Sequence, residues 1–463
     1  MPRRPVSLPR LGVPLGFALA FVSADAAAAA QGWYRQGDFE PSRRISLVLR
    51  NELAIARTNS PVTIKAGDLP QVRGAHELTL TLVDPAGKPR AEPDREARAL
   101  GGPHGIRGEQ NGRAIDYQLD DLDKDGVWDE LFFQVDLKPG ETKVLHLYTG
   151  FQQRGWNPHR SFAGIGSYMR HMVPFWESEH VGWKLWFPTD ADVYGKRKGR
   201  LIASRILGEN LDGYAVGKID PALGTDIQSV DDSFGGGGIG VYDGPAASRL
   251  SRPRFTPAAD AEHRFNGNQL EDTRYSFDVV VNGPLRSMVK VRTMNWNSGR
   301  GRYTLEQVYT AYARHNYATA RVRFTQFDPV AAGARFAAGI RRRPGETMLF
   351  RDGGIVVSTA PEAIRNPDDL EGTQPVQRVA YAGSALVVKD RYRPEYRFVP
   401  EWQGNHVFRF GEAADGEFEY MLAAGWSEGE VLKTASAFRD YVVQAAREYN
   451  SPVRLVEARV ESR

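Results

Sequence analysis

The chain has 463 residues, of which 60 are basic and 57 acidic, so its formal net charge is only +3. This balance gives no indication of the concentrated basic surface that nucleic-acid binding requires. The chain contains 0 cysteines, which excludes disulfides, thiolate metal sites and cysteine nucleophiles.

The N-terminal 30 residues have the pattern of a secretory signal peptide. Three arginines precede the apolar run 11–22, and small residues of the A-x-A type follow it. The apolar run is too short to span a membrane, and no later stretch is long and apolar enough to do so. We therefore predict that residues 1–30 are removed, with cleavage between Ala26 and Gln31, and that the mature protein is periplasmic or secreted.

The mature chain is predicted to consist mainly of β-strands. Many aromatic residues alternate with polar ones in short runs, and 47 glycines and 28 prolines separate these runs. The clearest predicted strands are 45–49, 78–83, 143–148, 275–281, 288–293, 319–324 and 418–423. Such a pattern favours antiparallel sheets with one buried face.

An acidic loop lies at residues 121–130. Asp121, Asp123, Asp125 and Asp129 surround Gly126, and oxygens at alternate positions of a tight turn suit a hard cation such as calcium. The flanking residues alternate as strands do, so the loop should connect two strands. Two interpretations stay open: a structural calcium site, or a solvated hairpin whose aspartates form Asx-turns.

The most distinctive stretch, 171–187, is rich in aromatic and β-branched residues and is predicted to be a strand. In an unbroken strand Glu177 and Glu179 would share an otherwise apolar face, about 6.6 Å apart along the backbone. Buried carboxylates must be paired, metal-bound or kept neutral by a raised pKa. The alternative is a bulge or turn at 178–179 that directs both glutamates to solvent.

Side chains near these glutamates are suited to sugar chemistry. Tryptophan rings offer platforms for sugar rings, and lysine or arginine can hold a uronate carboxylate. A histidine or tyrosine can act as acid or base in β-elimination, whereas a pair of glutamates can serve a glycoside hydrolase. The candidate catalytic residues are Glu177, Glu179, His171, Tyr194 and Lys196. The candidate substrate-binding residues are Trp176, Trp183, His180, Lys184 and Arg170.

A C-terminal helix is predicted at about 427–449. Ser427 and Glu430 have the capping-box spacing. An apolar stripe at helical spacing follows them and ends before Pro452. We expect this helix to pack against a sheet and to have no part in the chemistry.

The residues at 175–183 and 192–196 resemble the bacterial family called domain of unknown function 4861. The residues at 129–131, 282–286 and 424–426 fit the same family. The resemblance covers most of the mature chain. It implies an exported protein associated with the degradation of uronate-containing polysaccharides, and a fold similar to galactose-mutarotase-like β-sandwiches.

We therefore expect an all-β protein in which residues 31–463 form a single large antiparallel β-sandwich, of galactose-mutarotase-like supersandwich type, with a C-terminal α-helix. The expected function is that of a carbohydrate-active protein on uronate-containing glycans, most concretely a lyase or a glycoside hydrolase. A non-catalytic carbohydrate-binding protein and a sugar mutarotase or epimerase are the alternatives. The expected partner is an acidic carbohydrate, with no nucleic acid and no membrane span after leader removal. Calcium, in a structural role, is the one cofactor that the sequence suggests.

Overall fold

The structure is a computed structural model. It describes residues 32–37, 39–90, 108–151, 158–168, 171–186, 190–203, 222–228, 230, 233–253, 273–365, 371–373, 376–411 and 416–463. The predicted leader and Arg170 lie outside these ranges.

The first half of the described chain contains fourteen strands: β1 (Arg35–Gln36), β2 (Arg43–Arg50), β3 (Arg57–Lys65), β4 (Leu80–Asp84), β5 (Glu109–Gln110), β6 (Arg113–Ala114), β7 (Tyr117–Asp120), β8 (Glu130–Leu137), β9 (Thr142–Thr149), β10 (Ser161–Tyr168), β11 (His171–Ser178), β12 (Val181–Trp186), β13 (Asp190–Lys196) and β14 (Gly224–Gln228). Short 3-10 turns lie at Ala66–Asp68, Pro70–Val72 and Glu77–Thr79.

The second half contains fourteen more strands and the helix α1: β15 (Gly238–Asp243), β16 (Arg249–Ser251), β17 (Arg274–Asn282), β18 (Arg286–Asn297), β19 (Gly301–Tyr312), β20 (Tyr317–Pro329), β21 (Arg335–Arg341), β22 (Met348–Asp352), β23 (Ile355–Ile364), β24 (Gln377–Val388), β25 (Glu395–Val399), β26 (Asn405–Arg409), β27 (Glu417–Trp426), α1 (Ala435–Asn450) and β28 (Arg454–Ser462). Two further 3-10 turns are Pro245–Ala247 and Asp390–Tyr392.

A small sandwich is formed by a five-stranded sheet in the order β28-β2-β9-β4-β6 and a three-stranded sheet in the order β3-β8-β7. The two sheets share one core, because alternate residues such as Leu47 on β2 and Leu131 on β8 point between them. Strands β1 and β5 form a separate pair. The small sandwich carries the acidic loop between β7 and β8.

The larger part of the fold is built on three antiparallel sheets. The large sheet has eight strands in the order β17-β18-β19-β20-β27-β24-β23-β22, the central sheet has the order β10-β11-β12-β13-β14, and the outer sheet has the order β16-β15-β21-β26-β25. The central and outer sheets meet where Ala191 pairs with Gly235. One hydrophobic core contains buried residues of all three sheets.

The two faces of the large sheet bury different partners. On β20, Ala318, Ala320 and Val322 belong to the core shared with the central and outer sheets. Tyr317, one residue earlier, belongs to a second cluster that contains Phe438 of α1. The period of two along the strand therefore places the helix behind the large sheet, as expected.

The helix begins later than the sequence pattern predicts. Thr434 is its N-cap and accepts a hydrogen bond from Ala437 N at 3.1 Å. Ser427 instead donates its N–H to Tyr381 O, and Gly429 bonds back to Trp426 O. The capping-box interpretation of Ser427 is therefore wrong, because the same residue spacing here forms a turn that follows β27.

The predicted fold class is confirmed: antiparallel sheets dominate and α1 packs behind the large sheet. The described residues nevertheless contain two main sandwich cores where a single sandwich was expected. Arg286 links them, since its guanidinium pairs with Asp120 of β7 and, at 2.6 Å, with Glu130 of β8. That residues 31–463 fold as one domain stays a prediction.

Within the part of the chain that the structure describes, no helix combines the length and the hydropathy that a membrane crossing requires.

Candidate functional site

The distinctive stretch 171–187 contains a hairpin and is not one unbroken strand. Strand β11 ends at Ser178, and β12 begins after Glu179 and His180. The Ser178 hydroxyl accepts the His180 N–H at 3.1 Å and donates to His315 O at 2.7 Å, which fixes the turn. The turn does not direct the glutamates to solvent, since Glu177 is 0% and Glu179 only 6% exposed.

Glu177 is held in a fully satisfied buried ion pair. The Lys196 ammonium reaches across β12, past Gly182, and donates to the Glu177 carboxylate. That carboxylate also accepts the N–H groups of Ile202 at 2.9 Å and Ala203 at 2.8 Å. Burial lowers the pKa of Lys196, and the charge of Glu177 opposes this shift. The described contacts thus support a structural role for this pair, in place of the catalytic role that the sequence suggested.

Lys184 and Tyr194 also lie inside the fold. The Lys184 ammonium, fully buried, pairs with the Asp192 carboxylate at 2.8 Å. Burial raises the pKa of neighbouring Asp226 well above its ordinary value, and the charge of Asp192 adds to this effect. Tyr194 is buried on β13. Lys184 is therefore engaged with an internal carboxylate and is not presented to a uronate at the surface.

The two candidate sugar platforms are core residues. Trp176 and Trp183 stack on each other with ring centroids 6.2 Å apart. Trp176 stacks on Tyr309 of the large sheet at 4.4 Å. Both indoles are buried because they lie on the face of the central sheet that meets the large sheet. The expectation that they form exposed platforms is wrong.

His171 is the first residue of β11, but its side chain, like Arg170 as a whole, lies outside the described part of the structure.

Two of the predicted site residues, Glu179 and His180, line a cavity of about 620 Å³. We call it the Glu179 cleft. It lies between the β11–β12 turn, the β19–β20 connection, the start of β3 and α1. Its charged and titratable lining residues are Arg160, Glu179, His180, Arg314, His315, Tyr317, Glu430, Tyr441 and Glu448.

Glu179 is bound on one side of this cleft by two arginines, and Gly199 separates it from a second carboxylate, that of Glu430. It accepts the Arg314 N–H at 2.8 Å and faces the Arg160 guanidinium at 3.7 Å. A methyl group placed on Gly199 would lie 2.7 Å from Glu430 Oε2 and 3.7 Å from Glu179 Cγ. A side chain at residue 199 would therefore displace the flexible end of Glu430, and Gly199 lies between the two glutamates.

The histidines of the cleft differ in their surroundings. Burial lowers the pKa of His180, an effect that the charges of Glu179 and Glu430 oppose. Burial also lowers the pKa of His315, to about 4, so its ring is neutral at pH 7. His315 Nε2 lies 2.8 Å from the Asn59 carbonyl oxygen and must donate to it. His315 Nδ1 is then an acceptor and faces the Tyr441 hydroxyl at 3.4 Å.

Glu448 on α1 is a third carboxyl group of the cleft. It accepts hydrogen bonds from Ser60 Oγ at 3.2 Å and Gln444 Nε2 at 3.1 Å. Burial raises its pKa, so its protonated form is favoured relative to an exposed glutamate. The cleft therefore contains carboxyl groups in unlike environments.

Several cleft residues could not have been found from local patterns. Arg314 and His315 lie in the connection between β19 and β20, which carries no motif. Glu430 resembled a helix-capping residue, and Glu448 lies on a helix expected to be inert. The sequence contains one weak signal, at Glu430. The apolar stripe begins late for a helix that is capped by Ser427 and Glu430, so Glu430 is free for another role.

The acidic loop brings together three of its four candidate ligands. Oxygens of Asp121, Asp123 and Asp129 all lie within 4.8 Å of one another, and we call them the aspartate cluster. The carboxylate of Asp125 instead accepts the Val127 N–H at 2.8 Å. Asp121 also accepts backbone N–H groups in the turn, as the hairpin interpretation expects. Calcium binding stays a prediction.

Comparison with solved structures gives distant similarities in fold. A protein in the Glycosyl Hydrolase Family 38 from Enterococcus faecalis matches with a TM-score of 0.46 at 10% identity, over 92% of this chain and 48% of its own. An α-mannosidase from Enterococcus faecalis V583 matches with a TM-score of 0.44 at 11% identity, over 92% of this chain and 46% of its own. This chain thus spans about half the length of either.

No curated protein matches the chain. The family described as Domain of unknown function (DUF4861) matches residues 49–455, which include the Glu179 cleft, α1 and all strands from β3 to β27. This match confirms the resemblance seen in the residues at 175–183 and 192–196. The chain therefore belongs to the DUF4861 family.

Proposed function

We propose that the protein is a carbohydrate-active enzyme that cleaves an acidic oligo- or polysaccharide in the Glu179 cleft. The observation that carries this proposal is the meeting of three glutamates and two arginines around one cavity of about 620 Å³. Cavities of this size are typical of small-molecule sites. The arginines would hold a uronate carboxylate while glutamates act on the glycosidic bond.

The arrangement favours a glycoside hydrolase. Such enzymes use one carboxylic acid to protonate the leaving oxygen and one carboxylate to activate water or attack the sugar. Glu179, held by Arg314 N and facing Arg160, is the proposed base or nucleophile. The acid is either Glu430, which faces Glu179 across Gly199, or Glu448, whose burial favours the protonated form. Groups whose pKa values are separated by their surroundings are suited to this division of roles.

A lyase is the second candidate, and His180 favours it. Its imidazole lies beside Glu179, and its lowered pKa leaves it neutral and able to accept a proton at pH 7. An arginine paired with a uronate carboxylate would make the neighbouring C–H more acidic. In the β-elimination, His180 would take the C–H proton, the electron pair of that bond would form the double bond, and the C–O bond to the leaving group would break. The leaving oxygen would take a proton from Glu448, whose burial favours the protonated form.

The test is turnover of acidic oligosaccharides by the wild type and by three single variants: Glu179→Gln, Glu430→Gln and Glu448→Gln. Glu179→Gln should lower turnover by roughly 100-fold or more if this group transfers a proton. The acid is whichever of the other two substitutions causes a similar loss. Glu52→Gln, an exposed glutamate paired with Arg454 at the edge of the small sandwich, is the matched control and should leave turnover unchanged.

The products distinguish the two chemistries. A hydrolase yields reducing ends without new ultraviolet absorbance, whereas a lyase yields a double bond that absorbs in the ultraviolet. A lyase activity should be abolished by His180→Asn. Full turnover by Glu179→Gln would refute the site. Binding of sugars without any product would favour the non-catalytic alternative, and faster anomer exchange without cleavage would favour a mutarotase.

A further inference from the structure

A second surface feature lies at the edge of the fold where β22 of the large sheet approaches β25 of the outer sheet. The Arg351 guanidinium stacks over the ring of Tyr396 at 4.3 Å, and that of Arg342 lies over Phe398 at 5.7 Å. The Phe398 side chain is 43% exposed. We call Arg342, Arg351, Tyr396 and Phe398 the aromatic–arginine patch.

The two arginines of the patch carry uncompensated charge. Across the described ranges, no carboxylate lies within ion-pair distance of either guanidinium, whereas nearby Arg409 pairs with Glu395 at 2.5 Å and Arg343 with Glu362 at 3.1 Å. Both guanidinium charges lower the pKa of the same ring, His406, so both lie near it. Stacking on aromatic rings holds the two cations in place at the surface.

Beneath the patch, a chain of hydrogen bonds fixes Tyr396. Its hydroxyl lies 2.8 Å from His406 Nδ1, and His406 Nε2 lies 2.9 Å from Glu346 Oε2. The Glu346 carboxylate also accepts from Ser358 Oγ. Because a carboxylate can only accept, His406 Nε2 donates to Glu346, and the Tyr396 O–H donates inward to Nδ1. The oxygen of Tyr396 can then accept a bond from outside.

The ring of His406 is almost completely buried, with 1% exposure, and packs near both Tyr396 and Phe398. The patch therefore has a rigid base of buried polar groups, which an incidental cluster of exposed side chains would lack. The groups of the patch can make three different interactions with one ligand. The two cations can bind an anion, the exposed ring can stack on an apolar face, and the phenol oxygen can accept a hydrogen bond from a hydroxyl.

We propose that the aromatic–arginine patch is a second, non-catalytic binding site for a carboxylate-bearing sugar unit of a polysaccharide. Arg342 and Arg351 would bind the carboxylate, Phe398 would stack on the pyranose ring and Tyr396 would accept a hydroxyl hydrogen. The excess positive charge complements an anionic chain, and the exposed ring distinguishes a sugar from a simple anion. The ligand class rests on the proposed function, whereas the position of the site does not.

The test is native gel electrophoresis with polygalacturonate or alginate cast into the gel, beside gels that contain neutral dextran. The wild type should be retarded by an acidic polymer and not by dextran. Arg342→Gln/Arg351→Gln should raise the Kd for the acidic polymer at least about tenfold, which corresponds to about 1.4 kcal/mol of binding free energy. Phe398→Ala should weaken it in the same direction, because stacking is lost.

Arg302→Gln/Arg323→Gln is the matched control. It removes the same charge from two exposed arginines on β19 and β20 and should leave retardation unchanged. Turnover of short acidic oligosaccharides by Arg342→Gln/Arg351→Gln should equal that of the wild type, so loss of the patch and loss of the catalytic proposal are distinguishable. No retardation of the wild type, wild-type retardation of the patch variant, or equal retardation by single-stranded DNA would each overturn the proposal.

Discussion

Replacing Glu177 by glutamine should destabilise the protein strongly. The substitution leaves the Lys196 ammonium buried without its counter-charge, and both residues are completely inaccessible to solvent. Breaking a buried pair by removing one partner costs about 3–5 kcal/mol. The new amide also presents an N–H₂ group where the carboxylate accepted the Ile202 and Ala203 N–H groups, so one of these bonds is lost.

The unpaired Lys196 charge and the lost hydrogen bond arise from the same carboxylate, so their costs do not add. We therefore expect Glu177→Gln to lower the unfolding free energy by about 3–5 kcal/mol in total. Urea unfolding followed by fluorescence measures it directly, with the 9 tryptophans as probes. Glu52→Gln, which breaks an exposed ion pair at 3.0 Å, should cost less than about 1 kcal/mol.

The double variant Glu177→Gln/Lys196→Met tests the physical reason. It removes both charges and keeps one side-chain oxygen for the backbone N–H groups, so it should be more stable than Glu177→Gln alone. An unfolding free energy for Glu177→Gln within about 1 kcal/mol of the wild type would refute the structural assignment. It would also return Glu177 to the candidates for catalysis.

Three further predictions concern the leader, the acidic loop and pH. N-terminal sequencing of the exported protein should begin between Ala26 and Gln31, and a mature product that retains residue 1 would contradict this. Calcium should raise the melting temperature relative to chelator, and Asp129→Asn should abolish the difference because it removes one member of the aspartate cluster. Burial lowers the pKa of His146 and His315 to about 4 each, below about 6.5 for the unfolded chain. The unfolded state therefore binds more protons between these values, and the unfolding free energy should fall as pH drops from about 6.5 to about 4. His146→Gln should reduce that slope in urea titrations at several pH values, and an unchanged slope would show that His146 is not responsible.

The features that were predicted correctly depend on local patterns. Alternation of apolar residues identified the strands that became β2 and β9, and helical spacing identified α1. The residues at 175–183 indicated the family because a string of that length is specific. Each of these signals lies within about a dozen neighbouring residues.

The features that were missed depend on contacts between distant segments. No local sequence pattern indicates that Glu177 on β11 would pair with Lys196 on β13 across the intervening strand β12. Nor does any local pattern indicate that Trp176 would stack on Tyr309. An aromatic residue on a strand suits a sugar platform and a sheet interior equally well, and only the second sheet decides between them. Only Glu179 and His180 of the Glu179 cleft were predicted, for the same reason, since its other lining residues come from five separate parts of the chain.

The pairing of β2 with β28 has a consequence for synthesis. Arg44 and Glu461 are joined across this pair although 417 positions separate them in sequence. Until β28 has emerged, β2 presents an unpaired edge, which can recruit strands of other chains. Long-range pairing of this kind is also slow. A ribosome-bound chain would therefore depend on holding factors, and deletion of residues 454–463 should cause aggregation of newly made protein before it affects any property of the Glu179 cleft.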